Sequence, residues 1–180
     1  MKEFTPTDLF ALKLMMEAQL EADYVSELNA KSDGAFDFLI GEWDLVRTSF
    51  DETGNVVSKT NGSVIAKYAF DGRVIQEDFH NLREDGIAYR GGTALYTYSP
   101  SFKQWHVAAI DASTGATSYQ PIWIDGEVHY DSVVRLPDRE ILTNSRIFNI
   151  SRESYEWEQS VSINGATWFP NYHIANHRRR

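Results

Sequence analysis

The segment Phe38-Leu39-Ile40-Gly41-Glu42-Trp43-Asp44 opens a long stretch in which apolar and polar residues alternate as far as Arg178. Alternation of period two predicts strands with one buried face. Turn signals interrupt the stretch at short intervals, and several are Asp-Gly or Asn-Gly pairs, which favour tight hairpins. These signals lie at 51–55, 71–72, 84–86, 99–101, 113–115, 125–126, 136–138, 151–153 and 164–165. The pattern therefore predicts about ten antiparallel strands joined by hairpins.

Consecutive antiparallel strands in this number normally close on themselves, because closure removes the exposed sheet edges. We therefore predict an all-β, up-and-down antiparallel barrel of about 8–10 strands over residues 36–180. A β-sandwich is the alternative architecture.

Residues 1–35 follow a different pattern. Apolar residues recur there at spacings of three and four, which predicts an amphipathic α-helix followed by a linker. The apolar stripe consists of Leu9, Leu12, Met16, Leu20, Tyr24 and Leu28. Such a helix would pack on the barrel, cover its mouth or join two subunits in a homodimer.

Composition excludes several classes of function. The chain has 17 basic and 26 acidic residues, and its net charge of −9 disfavours nucleic acid and anionic membranes as partners. It has no cysteine, so thiolate catalysis and disulfides are absent. The first residues lack the basic and continuous apolar regions of a secretory signal, and no segment approaches the roughly 20 apolar residues of a membrane span. We therefore expect a cytoplasmic protein.

Gly41 and Trp43, together with the closing arginines Arg178–Arg180, resemble the closure of lipocalin-type (calycin) barrels. In those barrels the tryptophan plugs the floor, and an arginine of the last strand packs across the indole face. A desolvated contact of this kind can contribute about 2 kcal/mol. The resemblance implies a closed barrel with an internal cavity and a small-ligand function.

The wider spacing is similar to that of a family of small bacterial lipocalin-like proteins whose function is mostly unassigned. The matching segments are 38–44, 70–77, 92–100, Asp111, 155–158 and 165–168. A more distant resemblance is to haem-binding nitrobindin barrels, which share a Gly-x-Trp-x-Gly-x-Gly pattern. In this chain Leu45 and Arg47 stand where that pattern has its later glycines, which weakens the link to haem, for which His173 would be the ligand.

Strand alternation predicts which side chains face the interior. Aromatic residues dominate that predicted face, and phenol hydroxyls commonly orient ligands in such pockets. The predicted ligand-binding residues are Trp43, Tyr68, Tyr96, Tyr98, Trp105, Tyr130, Trp157 and Tyr172. The alternative is a barrel filled by its own side chains.

Arg47 and Glu77 are ionisable residues on otherwise apolar faces. Burial of either one alone is costly, so we expect them to pair with each other or to meet a polar ligand. His106 lies in the most aromatic stretch and, by the same alternation, points outward. Glu77, His106 and Arg47 are the candidate catalytic residues, since a carboxyl or imidazole can move a proton and a guanidinium can stabilise negative charge.

No metal or cofactor is expected, because the histidines and acids lack the spacing of typical metal-ligand groups. The first functional hypothesis is a protein that binds a small hydrophobic or aromatic molecule in the barrel cavity. The alternative is a cofactor-independent lyase, dehydratase, isomerase or cyclase that uses the same cavity for acid/base chemistry. Haem binding is a third hypothesis.

Overall fold

The computed structural model describes Met15 and residues 34–83, 85–99, 102–113, 115–135 and 139–180. Ten strands follow a single 3-10 turn at Asp37–Leu39. The strands are β1 (Gly41–Phe50), β2 (Val56–Ala69), β3 (Val74–Leu82), β4 (Ala88–Ser99), β5 (Gln104–Asp111), β6 (Thr117–Ile124), β7 (Val128–Arg135), β8 (Glu140–Phe148), β9 (Ser154–Ser162) and β10 (Phe169–Arg178).

Each strand pairs antiparallel with its neighbours in the chain, and β1 pairs with β10 to close the barrel. Trp43 lies opposite Arg178 on one side and opposite Val64 on the other. The predicted up-and-down antiparallel barrel is therefore confirmed, and the sandwich alternative is wrong. The predicted N-terminal helix falls on residues outside the described part, except for Met15, Gly34 and Ala35. Within the described part, no helix is long and apolar enough to cross a membrane.

The hairpins divide the barrel into two ends. We call the end that holds the start of β1 and the turns at 70–73, 125–127 and 149–153 the floor. The opposite end, with the turns at 51–55, 112–116 and 163–168, is the mouth. The Asp71-Gly72 turn at the floor has the positive φ angles, 57° and 85°, that such a signal predicts.

Exposure changes along the interior face from floor to mouth. On β1, Trp43 and Leu45 are 0% and 4% exposed, whereas Arg47 and Ser49 are only half-buried. The same change occurs on other strands: on β9, Tyr155 is buried, and the inward residues that follow it keep accessible surface. Solvent therefore reaches the interior from the mouth along β1 and β9, whereas Trp43 and Tyr155 are sealed at the floor.

Candidate functional site

The floor is closed by the contact that the sequence predicts. The guanidinium carbon of Arg178 lies 4.1 Å from the ring centre of Trp43. The ring of Tyr155 lies nearly perpendicular to the indole, with 4.9 Å between ring centres. The Trp43 Nε1–H donates a 2.7 Å hydrogen bond to the carbonyl of Leu39. The tryptophan is thus held by a cation, an aromatic ring and a hydrogen bond.

Arg178 also joins the last strand to the segment before β1. Its Nη1 donates to the Ile40 carbonyl at 2.9 Å, its Nη2 to Phe38 at 3.3 Å, and its Nε to Arg152 at 2.6 Å. Gly41 makes room for this arginine, because a Cβ atom at that position would lie 2.4 Å from Nη1. The φ of Gly41 is +134°, which other residues rarely adopt. The glycine of Gly-x-Trp is therefore required by the arginine across the floor.

The 3-10 turn and the residue before it form a plug inside the floor, which the sequence analysis did not predict. Phe36 is 1% exposed, and its ring centre lies 4.8 Å from that of Trp105 and 5.3 Å from that of Tyr96. Phe38 meets the edge of Tyr155 at 5.6 Å. Two aromatic rings predicted to contact ligand, Trp105 and Tyr96, thus also pack against the chain's own plug.

Above the floor lies a group of five inward-facing residues, the middle cluster: Glu77, Tyr96, Tyr130, Tyr155 and Trp157. The hydroxyl of Tyr96 donates a 2.6 Å hydrogen bond to Oε2 of Glu77, and that of Tyr155 donates a 3.3 Å bond to Oε1. Trp157 Nε1–H donates to the Tyr130 hydroxyl at 2.5 Å. Glu77, Tyr130 and Trp157 face the interior and yet keep some accessible surface, so open space adjoins them.

Burial governs the protonation of the middle cluster. Removal from water raises the pKa of Glu77, and the hydrogen bonds from Tyr96 and Tyr155 oppose this only in part. Burial, followed by the nearby Glu77 charge, raises the pKa of Tyr96 and Tyr155 well above their usual value. The cluster therefore holds a carboxyl group that keeps its proton to higher pH than an exposed glutamate, beside phenols that stay protonated.

The mouth contains a cavity of about 300 Å³ with a polar and cationic lining. Its lining residues are Arg47, Ser49, Phe50, Val57, Ser58, Thr60, Tyr89, Arg90, Asn171 and Tyr172. The guanidinium carbon of Arg47 lies 3.6 Å from the ring centre of Tyr172. Arg90 forms a 3.0 Å ion pair with Asp111.

Arg47 and Glu77 do not pair with each other. Arg47 lies opposite Thr60 on β2, whereas Glu77 lies opposite Ala66. Those two positions are about 20 Å apart along β2, at about 3.3 Å of rise per residue. The register therefore excludes the expected ion pair between Arg47 and Glu77.

Tyr68 and Tyr98 lie away from the open interior. Tyr68 is 50% exposed near the end of β2, and its hydroxyl donates a hydrogen bond to Asp37, which raises its pKa to about 12. It lines a second cavity, of about 390 Å³, at the floor end. Tyr98 is 3% exposed and packs against Trp105, with 5.9 Å between ring centres. Neither residue shares a contact with Glu77 or Arg47 among the described residues.

His106 alternates out of phase with the inward residues of β5, as the sequence predicts. Its ring lies on the outer face, stacked on Tyr119 with 5.2 Å between ring centres and 2° between planes. It is 6% exposed and also contacts the edge of Phe102. The structure therefore brings Glu77 and Arg47 to the interior and leaves His106 outside it.

The haem candidate His173 also points outward, where its Nε2 lies 2.6 Å from a carboxylate oxygen of Glu156. Within the described ranges, no group of three or more His, Cys, Asp or Glu side chains is arranged to hold a metal ion.

Comparison with protein-family models and with curated proteins finds no match. Solved structures do match. One is the crystal structure of Rv2717c from M. tuberculosis, which is 12% identical, with 81% of this chain and 96% of that chain covered and a TM-score of 0.59. Another is a protein of unknown function from the DUF3598 family of Nostoc punctiforme PCC 73102, which is 6% identical over 80% of this chain and 97% of that one, with a TM-score of 0.26. The chain therefore shares its barrel fold with the mycobacterial protein, and the lipocalin-like resemblance is supported at the level of fold.

Proposed function

We propose that the barrel binds a small hydrophobic or aromatic molecule, which enters through the mouth and rests above the middle cluster, in the part of the interior that we call the chamber. The observation that carries this proposal is the change in exposure along the interior of β1 and β9: their inward side chains are sealed at the floor and accessible toward the mouth, whereas the inward Thr143 and Ser145 of β8 are buried. A barrel filled by its own side chains would bury the inward residues along its whole length.

The lining suits such a ligand. Ligand sites are concave and mostly apolar, with a few polar groups that fix orientation, and they span about 300–1,000 Å³. Tyr130, Trp157 and Tyr172 offer ring faces, and the Glu77 carboxyl offers a polar contact within the chamber. A mouth cavity of about 300 Å³ fits a molecule of one or two rings.

Calorimetric titration with one- and two-ring aromatic molecules tests this proposal, and a matched pair of variants locates the site. Ala109 faces the interior of β5 opposite Ala94, whereas the adjacent Ala108 faces outward. We expect Ala109→Phe to fill the chamber and weaken binding by about tenfold or more, while Ala108→Phe leaves it unchanged. No heat of binding from the wild type across the panel, or equal loss in both variants, would contradict the proposal.

A second candidate function is acid/base catalysis in the same chamber, and the raised pKa of Glu77 favours it. A carboxyl that keeps its proton to higher pH than an exposed glutamate can act as a general acid, and its Tyr96 and Tyr155 partners can stabilise negative charge on a substrate. The reaction classes that need only these groups are those of a lyase, dehydratase, isomerase or cyclase.

Glu77→Gln separates the two functions. If the barrel is an enzyme, this variant should lose turnover of a ligand found by the titration while it still binds that ligand. His106→Ala serves as the control, because the His106 ring stacks on the outer face. Full turnover in Glu77→Gln would rule out this carboxyl as the acid.

A further inference from the structure

Arg47 is a cation in the mouth, and no acid in the described ranges pairs with it. Its Nε–H is buried and has no hydrogen-bond partner among the described residues, and its guanidinium contacts the ring of Tyr172. Burial is the main cause that lowers its pKa; Tyr172 opposes this, and the nearby Arg90 lowers the pKa further. An unsatisfied buried donor on a charged group is costly, so it points to a missing acceptor.

The neighbouring charges do not supply that acceptor. Asp111 accepts from both Nε and Nη2 of Arg90, at 3.3 and 3.0 Å, which balances the charge of Arg90. Among the described residues, the mouth cavity is therefore lined by two guanidinium groups, and the Asp111 carboxylate beside it pairs with Arg90. One positive charge is left over on the wall of an open cavity.

We propose that the mouth binds an anionic group of the ligand, a carboxylate or a phosphate, with Arg47 as its direct partner and with Arg90 and Tyr172 beside it. This inference rests on the proposed function and narrows it: the ligand has an aromatic or apolar body in the chamber and an anionic end at the mouth.

The chemistry of the site fits anion oxygens. A planar guanidinium offers parallel N–H donors that match a carboxylate or phosphate, and such charge-assisted bonds are about twice as strong as neutral ones. A ligand anion would satisfy the Nε–H of Arg47 and neutralise its charge at once. A neutral amide or alcohol would satisfy the donor but leave the charge unbalanced.

Calorimetry with three probes that share one ring system tests the inference. The probes are 1-naphthaleneacetate, its neutral amide 1-naphthaleneacetamide, and 1-naphthyl phosphate. We expect at least one of the anions to bind the wild type about tenfold or more tightly than the amide. Comparison of the acetate with the phosphate shows which anion the site prefers.

Two variants of Arg47 and one matched control assign the effect to this residue. Arg47→Met keeps the length of the side chain and should remove the preference for an anion without loss of amide binding. Arg47→Lys keeps the charge and should retain part of the preference. The control is Arg146→Met, because Arg146 also lies over an aromatic ring, that of Phe148 at 4.2 Å, but on the outer face.

A second readout does not depend on the aromatic body. Titration of the wild type with inorganic phosphate should shift the Nε–H signal of Arg47 in a 1H–15N NMR spectrum, with the signal identified by its absence in Arg47→Met. Equal binding of acetate, phosphate and amide, together with an unshifted Arg47 signal, would overturn this inference and leave the proposed function intact. A shifted signal without binding of any naphthalene probe would support the anion site and contradict the proposed aromatic ligand.

Discussion

Trp43 and Arg47 face inward from the same strand at opposite ends of the barrel, but their polar groups are satisfied differently. At the floor, the indole N–H of Trp43 and all three guanidinium nitrogens of Arg178 donate hydrogen bonds to backbone carbonyls. Trp43 is also fully buried. At the mouth, four residues further along β1, the Arg47 Nε–H has no partner within the described part of the chain. This difference supports the proposal that the mouth binds a group of the ligand, whereas the contact between Trp43 and Arg178 stabilises the fold.

The floor variant with the largest expected effect is Trp43→Ala. Removal of a fully buried indole leaves a cavity and should lower the free energy of unfolding by about 3–5 kcal/mol, as measured by urea denaturation. Trp123→Ala is the control, because Trp123 is 47% exposed and should cost far less. Similar losses in both variants would mean that Trp43 has no special role at the floor.

Arg178→Met should come next. It removes the cation–π contact with Trp43 and hydrogen bonds to three carbonyls, so we expect a loss of about 3 kcal/mol in the free energy of unfolding. Arg178→Lys should recover only part of it, because an ammonium lacks the planar fork. In Arg179→Met, which removes exposed ion pairs to Glu42 and Asp44, the loss should be within about 0.5 kcal/mol. If Arg179→Met lost more unfolding free energy than Arg178→Met, the stabilising role assigned to Arg178 at the floor would be wrong.

Glu77 should make stability depend on pH. The pKa of the Glu77 carboxyl in the folded protein is raised above 4.5. The stability that this carboxyl contributes is therefore fully present below that pH and is lost as the pH rises through the folded pKa. Glu77→Gln keeps the shape of the neutral acid and has no titration. We therefore expect the variant to gain stability relative to the wild type as the pH is raised from 4 to 9, in parallel urea titrations. Parallel profiles at all pH values would show that the carboxyl titrates normally.

Arg47→Met should have a small effect on stability and gives the sharpest contrast with Arg178→Met. It removes the contact with Tyr172 but also removes a half-buried cation that has no acid partner in the described part of the chain, so the two effects oppose each other. We expect the free energy of unfolding, measured by urea denaturation without ligand, to change by no more than about 1 kcal/mol. If instead Arg47→Met is destabilised as strongly as Arg178→Met, Arg47 is a structural residue.

The sequence was sufficient to predict the barrel and its closure, because both depend on local signals. Alternation of period two and Asp-Gly turns recur along the chain, and the two residues of the floor contact, Trp43 and Arg178, lie at the ends of the strand series. The same alternation predicted which side chains face the interior, and Arg47 and Glu77 do face inward while His106 faces outward.

The partners of the inward residues could not be predicted, since they depend on register across the barrel. Tyr155 donates to Glu77 from a position 78 residues away, and no local pattern links the two. The Phe36 plug was also missed, because a short 3-10 turn has no periodic signal. Alternation along β2 placed Tyr68 among the predicted ligand contacts. Tyr68 lies near the end of that strand, however, where its side chain is exposed.

The most direct test of the central claim, that the interior opens at the mouth and accepts a ligand there, uses the absence of native cysteine. Ser49 lines the mouth cavity, and Ser63 lies on the outer face opposite Asp44. Single cysteines at these two positions can be labelled with a maleimide in the absence and presence of 1-naphthaleneacetate. We predict that the ligand slows labelling of Ser49→Cys by about tenfold or more and leaves Ser63→Cys unchanged. Equal labelling of Ser49→Cys with and without saturating ligand would contradict a ligand site within the mouth.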